Sequence, residues 1–228
     1  MPKFVFLFLI TFLGYSLGFA QSLESQREIL VVELCNILTS AEKSSKPDRL
    51  QIKIDELLNQ YFLSIPENDH EEESKNIFFR LERNCDAFQR FLDKKSPPQG
   101  DWLLEKESPI SKLTKEECGE FLKNQVHYYI DPSGEIVTVK IMDGTYIESY
   151  PDGTYSKLSF HWLENCEFML EFIESDHEVK KRLSIPGDQY FYRLIDKNEG
   201  SYIASTEIKG STNYYSFKIY INKPVKFK

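Results

Sequence analysis

From about Cys118 to Lys226 the chain alternates apolar and polar residues with a period of two, and explicit turn sequences separate the runs. Leu158, Phe160 and Trp162 share one face, with Lys157, Ser159 and His161 on the other. Cys166, Phe168, Leu170 and Phe172 stand opposite Glu167, Met169 and Glu171. Tyr215, Phe217, Ile219 and Ile221 alternate with Tyr214, Ser216, Lys218 and Tyr220. Such alternation marks strands with one face on a core. Asp131-Pro132-Ser133-Gly134, Asp143-Gly144 and Asp152-Gly153 fall between runs. Asp-Gly is a strong hairpin signal, because a two-residue turn asks for positive φ at both central positions. Asp-Gly-Thr-Tyr occurs twice, at Asp143–Tyr146 and Asp152–Tyr155, but the period fails afterwards and the reading is consecutive hairpins. Seven or eight strands in sequence predict an antiparallel meander, which must curl, close or cover a face. A lipocalin-like half-barrel is the expected form. The 17 Phe and 13 Tyr fit a sheet-rich chain.

The front half has a different period. Val31, Leu34, Cys35, Ile37, Leu38 and Ala41 recur at three- and four-residue steps. Ser44 to Asp48 breaks the chain, with Pro47 suited to a first helical turn. Leu50, Ile54, Leu57, Leu58 and Tyr61 make a second stripe, closed at Pro66. Ile77, Leu81, Cys85, Phe88 and Leu92 make a third, read as one helix from about Glu71 to Asp93. The expected class is therefore α+β, a three-helix module over residues 21–94 and an antiparallel β domain over 113–228. Residues 95–112, broken by Pro97, Pro98, Gly100 and Pro109, read as a linker in which Trp102, Leu103 and Leu104 are apolar enough to dock.

Residues 1–20 read as a secretory signal peptide. Lys3 precedes the apolar run Phe4–Leu13, and Gly18 and Ala20 are small residues before a cut ahead of Gln21. The run is shorter than the ~20 apolar residues that span a bilayer. No second run of that length follows, so a transmembrane segment is not expected in the mature chain, and the expected location is periplasmic or secreted. Losing Lys3 from the 28 basic residues leaves 27 against 36 acidic ones, a net −9. An acidic chain with scattered bases excludes nucleic acid as an expected partner. Cys35, Cys85, Cys118 and Cys166 remain after the cut, an even number that suits two disulfides in an oxidising compartment. Four cysteines allow three pairings. The division into a helical and a stranded half favours Cys35–Cys85 and Cys118–Cys166.

The back half resembles small, uncharacterised exported bacterial proteins with a cysteine before the first strand and a Trp-x-x-x-Cys-x-aromatic-x-Leu strand pair. Cys118, Trp162, Cys166, Phe168 and Leu170 carry that likeness. It implies a curled antiparallel sheet and an envelope location, and it supplies no catalytic residues.

Motifs of known chemistry are missing from the sequence: no Gly-x-Ser-x-Gly, no phosphate-binding glycine loop, no His-Glu-x-x-His and no Cys-x-x-Cys. No cofactor is expected. His70 stands among Asp69, Glu71, Glu72 and Glu73, where a metal reading competes with acidic residues complementing a helix N-terminus. The second reading is favoured, and no metal is expected. His161 points away from the Leu158–Phe160–Trp162 face. In a curled sheet it would be the candidate base of a hydrolase, with Glu148, Glu167 or Glu171 as its carboxylate partner. Against that stands a solvated strand face with cross-strand charge pairs. Tyr146, Tyr150, Tyr190, Tyr192, Tyr202 and Tyr214 are the candidate binding residues, since a phenol offers an apolar body with a polar tip. The expected function is a binding or interaction module for a small ligand, a glycan or an envelope protein. The rivals are the His161 hydrolase and a purely structural assembly component.

Overall fold

Nine antiparallel strands and six helices make up the computed structural model, which describes residues 23–42, 47–208 and 211–225, with 47–50 described in backbone only. The leader expected over residues 1–20, and the cut at Ala20, lie outside the described residues. Among the described residues no helix is long and apolar enough to cross a membrane. The chain divides into two compact units, one running to Leu81 and the other from Glu82 to Lys228.

The first unit holds α1 (residues 23–41), α2 (Pro47–Leu63), a 3-10 turn (Glu67–Asp69) and the greater part of α3 (His70–Asn84). Leu30, Val31, Leu34, Tyr61, Ile65, Ile77 and Leu81 are buried in it. Two forked ion pairs join α1 to α3. Arg27 donates to both oxygens of Glu73 at 2.5 and 2.9 Å, and Arg80 to both oxygens of Glu28 at 2.7 and 2.8 Å. The Tyr61 hydroxyl adds a 2.6 Å bond to Glu73. Burial disfavours the Glu73 charge, but the bonds from Arg27 and Tyr61 outweigh it and hold the carboxyl below its ordinary value. His70 uses Nε2 on the carbonyls of Phe62 and Ile65, at 2.9 and 3.2 Å, and so ties off the end of α2.

The third apolar stripe is not one helix. Cys85 is extended (φ −130°, ψ 102°) and starts α4 (Asp86–Lys95). Asp86 takes the backbone N–H and the hydroxyl of Thr212 at 2.8 and 2.7 Å, which fixes the new start. Spacings of 3 and 4 continue across the break, so periodicity alone does not reveal it.

In the second unit the strands are β1 (Leu103–Glu105), β2 (Val126–Ile130), β3 (Ile136–Met142), β4 (Thr145–Ser149), β5 (Tyr155–Trp162), β6 (Glu167–Ser175), β7 (Gln189–Asn198), β8 (Ser201–Ile208) and β9 (Tyr214–Tyr220). Each of β2 to β8 pairs with the next, β9 pairs with β8, and β9 meets β2 at Tyr128↔Tyr220. The meander thus closes into an up-and-down barrel, beyond the half-barrel expected. β1 occupies the rest of the outer edge of β9, with Leu103 opposite Ser216. Trp102 covers the β2–β9 seam: its ring stacks on Phe217 at 4.4 Å and its Nε1–H donates to the Ile130 carbonyl at 2.7 Å. Leu103 and Leu104 remain exposed. The Asp143-Gly144 turn has positive φ at both residues, whereas at Asp152-Gly153 only the glycine does. There the Asp152 carboxylate instead accepts the backbone N–H of Thr154 at 2.9 Å.

One end of the barrel is plugged by α5 (Lys115–Lys123), which opens on a capping box between Thr114 and Glu117. Phe121 of α5 lies within the core, stacked on the fully buried His127 at 4.2 Å and edge-on to Tyr202 at 5.3 Å. The Cys118–Cys166 disulfide locks this plug to β6. Cys35 and Cys85 are also disulfide-bonded, and no cysteine is free. The opposite end carries the 131–135 and 150–154 turns and the long β6–β7 connection with α6 (Lys180–Leu183). α4 is tied there too: Gln89 accepts from Asn213 at 2.7 Å and Asp93 from the Tyr215 hydroxyl at 2.8 Å.

Candidate functional site

The pleat of β4 sets the site. Tyr146, Glu148 and the following Tyr150 point into the barrel, and Ile147 and Ser149 point out. Register places Glu148 opposite Ser156 and Tyr146 opposite Leu158. A carboxylate, 9% exposed, therefore stands on the inner wall near the end away from α5. Its two oxygens accept the hydroxyls of Tyr129 at 2.8 Å and Tyr150 at 2.6 Å, and the Tyr150 hydroxyl lies 3.2 Å from Ser156. Burial first, and then the charge of Glu148, pushes the phenols of Tyr129, Tyr146, Tyr150 and Tyr192 above their ordinary value. They stay neutral, and act as donors and acceptors rather than anions.

Side chains do not fill this end. A cavity of about 500 Å³ remains, walled by Trp102, Tyr129, Tyr146, Tyr150, Tyr192 and Phe217, with Glu148 among them. Its rim carries Asp131, Ser133, Glu135 and Asp152 from the turns, Glu82 from α3, and His177, Val179, Lys180 and Leu183 from the β6–β7 connection. His177 stacks on Tyr150 at 4.0 Å, and its Nδ1 accepts the Lys180 backbone N–H at 3.4 Å. Burial raises Glu82 from its ordinary value, and nearby Lys180 works against that rise.

The tyrosines named from sequence separate into three groups. Tyr146, Tyr150 and Tyr192 line the cavity. Tyr190 points inward but its hydroxyl meets Ser184 and takes a bond from Arg83 at 3.1 Å, and Tyr202 is packed on Phe121 at the plugged end. Tyr214 pairs with Glu105 of β1, on the outer face. The proposed catalytic set is not brought together. His161 is on the exposed outer face of β5 with Ser159 as its hydrogen-bond partner at 3.2 Å, while Glu148 is inside the barrel. Glu167 is engaged by Arg193 and Glu171 by Gln189. The pleat is the reason: residues of odd number on β5 and β6 face outward, whereas Glu148 faces inward from β4. Among the described residues no group of three or more His, Cys, Asp or Glu is placed to hold a metal ion.

Trp102 and Phe217 of the wall and His177 of the rim are residues that sequence reasoning did not put in the site. For Glu148 a signal existed. Tyr146-x-Glu148-x-Tyr150 puts three polar-tipped side chains on one face of one strand, with Ile147 on the other. No family model matches this chain, and no curated protein matches it in sequence.

Proposed function

We propose that this protein is an exported binding module whose barrel takes a small organic molecule into the cavity at the end opposite α5. One observation carries the reading: an aromatic-walled space of about 500 Å³ with a few convergent polar groups, at the end of the barrel opposite α5. Small-ligand sites have this size and this mixture of apolar wall and sparse polar contacts. Oxidised cysteines support export, because disulfides persist in oxidising compartments. The leader-like N-terminus points the same way.

The neutral dye N-phenyl-1-naphthylamine, which fluoresces in apolar surroundings, tests it. Saturable enhancement at one dye per chain is expected, with quenching of Trp102, which lines the cavity, and not of Trp162 at the plugged end. Trp102→Phe should remove the quenching, with any remaining enhancement still saturable. Absence of any saturable enhancement overturns the reading.

A further inference from the structure

We infer that the ligand is an organic cation, a primary ammonium carried on a flat or apolar body; this rests on the cavity being a binding site. Glu148 is the starting point. A carboxylate offers about four acceptor positions, and the hydroxyls of Tyr129 and Tyr150 fill two of them. Among the described residues no Lys, Arg or His bonds to it. A buried carboxylate is stabilised by an opposite charge, and here the protein provides neutral donors only. The empty space beside it is where that charge fits.

Tyr146 is the second sign. Its side chain lines the same cavity as Glu148, two residues along the same face of β4. An ammonium bearing N–H donors satisfies both the Tyr146 oxygen and the remaining lone pairs of Glu148. A quaternary ammonium has no such hydrogen to give. The faces of Trp102, Tyr129, Tyr192 and Phe217 around the same space attract a cation and accommodate a flat body.

Charge at the rim selects in the same direction. Asp131, Glu135 and Asp152 border the cavity, with Lys180 as the fixed positive charge among the lining residues. A carboxylate or phosphate ligand would meet this field at entry and Glu148 at the end of its path. An ammonium is drawn in by both.

Competition against the bound naphthylamine dye tests the class with three matched probes: 2-phenylethylamine, 2-phenylethanol and phenylacetate, at neutral pH. The amine should displace dye at concentrations about tenfold below the alcohol, an equilibrium difference of about 1.4 kcal/mol, with phenylacetate weakest. Glu148→Gln, which keeps an acceptor for the tyrosines, should bring amine and alcohol level when each displacement is normalised to that variant's own dye affinity. Tyr146→Phe, a second variant that leaves Glu148 in place, should weaken the amine several-fold. If dye binds the wild type but the amine is no better than the alcohol, or phenylacetate is best, the cation assignment falls and the cavity reading stands. If dye does not bind at all, both fall.

Discussion

Each unit of the molecule buries a carboxylate that accepts tyrosine hydroxyls, and the two are completed differently. Glu73 in the helical unit takes Tyr61 at 2.6 Å and a forked guanidinium, Arg27, at 2.5 and 2.9 Å. Glu148 in the barrel takes Tyr129 and Tyr150 at 2.8 and 2.6 Å and borders a cavity of about 500 Å³. The first is a finished structural ion pair holding α1 to α3. In the second, an open space stands where the first has its cation. Neutral donors lower the cost of burying a charge, but only an opposite charge completes it. The comparison separates a carboxylate completed by a cation within the fold from one that borders open space.

Breaking the finished pair gives the largest expected effect. Arg27→Met leaves Glu73 buried without its cation and should cost about 3 kcal/mol, read by urea unfolding followed through helical circular dichroism. Glu148→Gln, in the barrel, should change stability by less than about 1 kcal/mol, because an amide still meets both tyrosines. If the two variants cost the same, Glu148 is as structural as Glu73 and the contrast fails.

Tyr61→Phe sharpens the same point. It removes a buried hydrogen bond to a charged group and should cost about 2 kcal/mol. Acid tests the pair from the other side. The Glu73 carboxyl is held below its ordinary 4.5 in the folded chain. Its contribution is therefore fully present above that value and lost as pH falls through the folded value. Stability measured from pH 5 downward should fall less steeply in Glu73→Gln than in the wild type. Equal slopes would show that Glu73 is not a source of acid sensitivity.

The alternation that makes the barrel was plain in the chain, and the walls of β5, β6 and β9 point where Leu158, Phe168 and Phe217 predict. Closure was not plain, because it depends on β9 meeting β8 along its length and β2 at one position, a pairing between strands far apart in sequence. The α5 plug has a sequence signal in the capping box Thr114-x-x-Glu117, but it is short and lies directly against the alternating stretch that begins near Cys118. Glu148 is not on the face that carries His161, and the pattern of β4 hides this. In Thr145–Ser149 the aliphatic Ile147 faces out and the carboxylate faces in, the reverse of the rule by which sheets are read. Local pattern says which residues share a face. Only the closed barrel says which face is interior, and there a side chain that breaks the polarity rule marks the site.

The smallest expected effect is the most discriminating. Tyr61 and Tyr146 are both buried tyrosines near a buried carboxylate, but Tyr61 spends its hydroxyl on Glu73 while Tyr146 lines the cavity. Removing a hydroxyl that lines a cavity takes no bond to another side chain from the folded state, so Tyr146→Phe should leave stability within about 0.5 kcal/mol of wild type. Thermal unfolding of the two Phe variants side by side reads this directly. A loss at Tyr146 equal to that at Tyr61 would mean its hydroxyl already has a structural bond, and the cavity would lose one of the two groups that ask for a donor. A neutral result, together with weakened amine binding in the same variant, would put that hydroxyl's function in the ligand rather than in the fold.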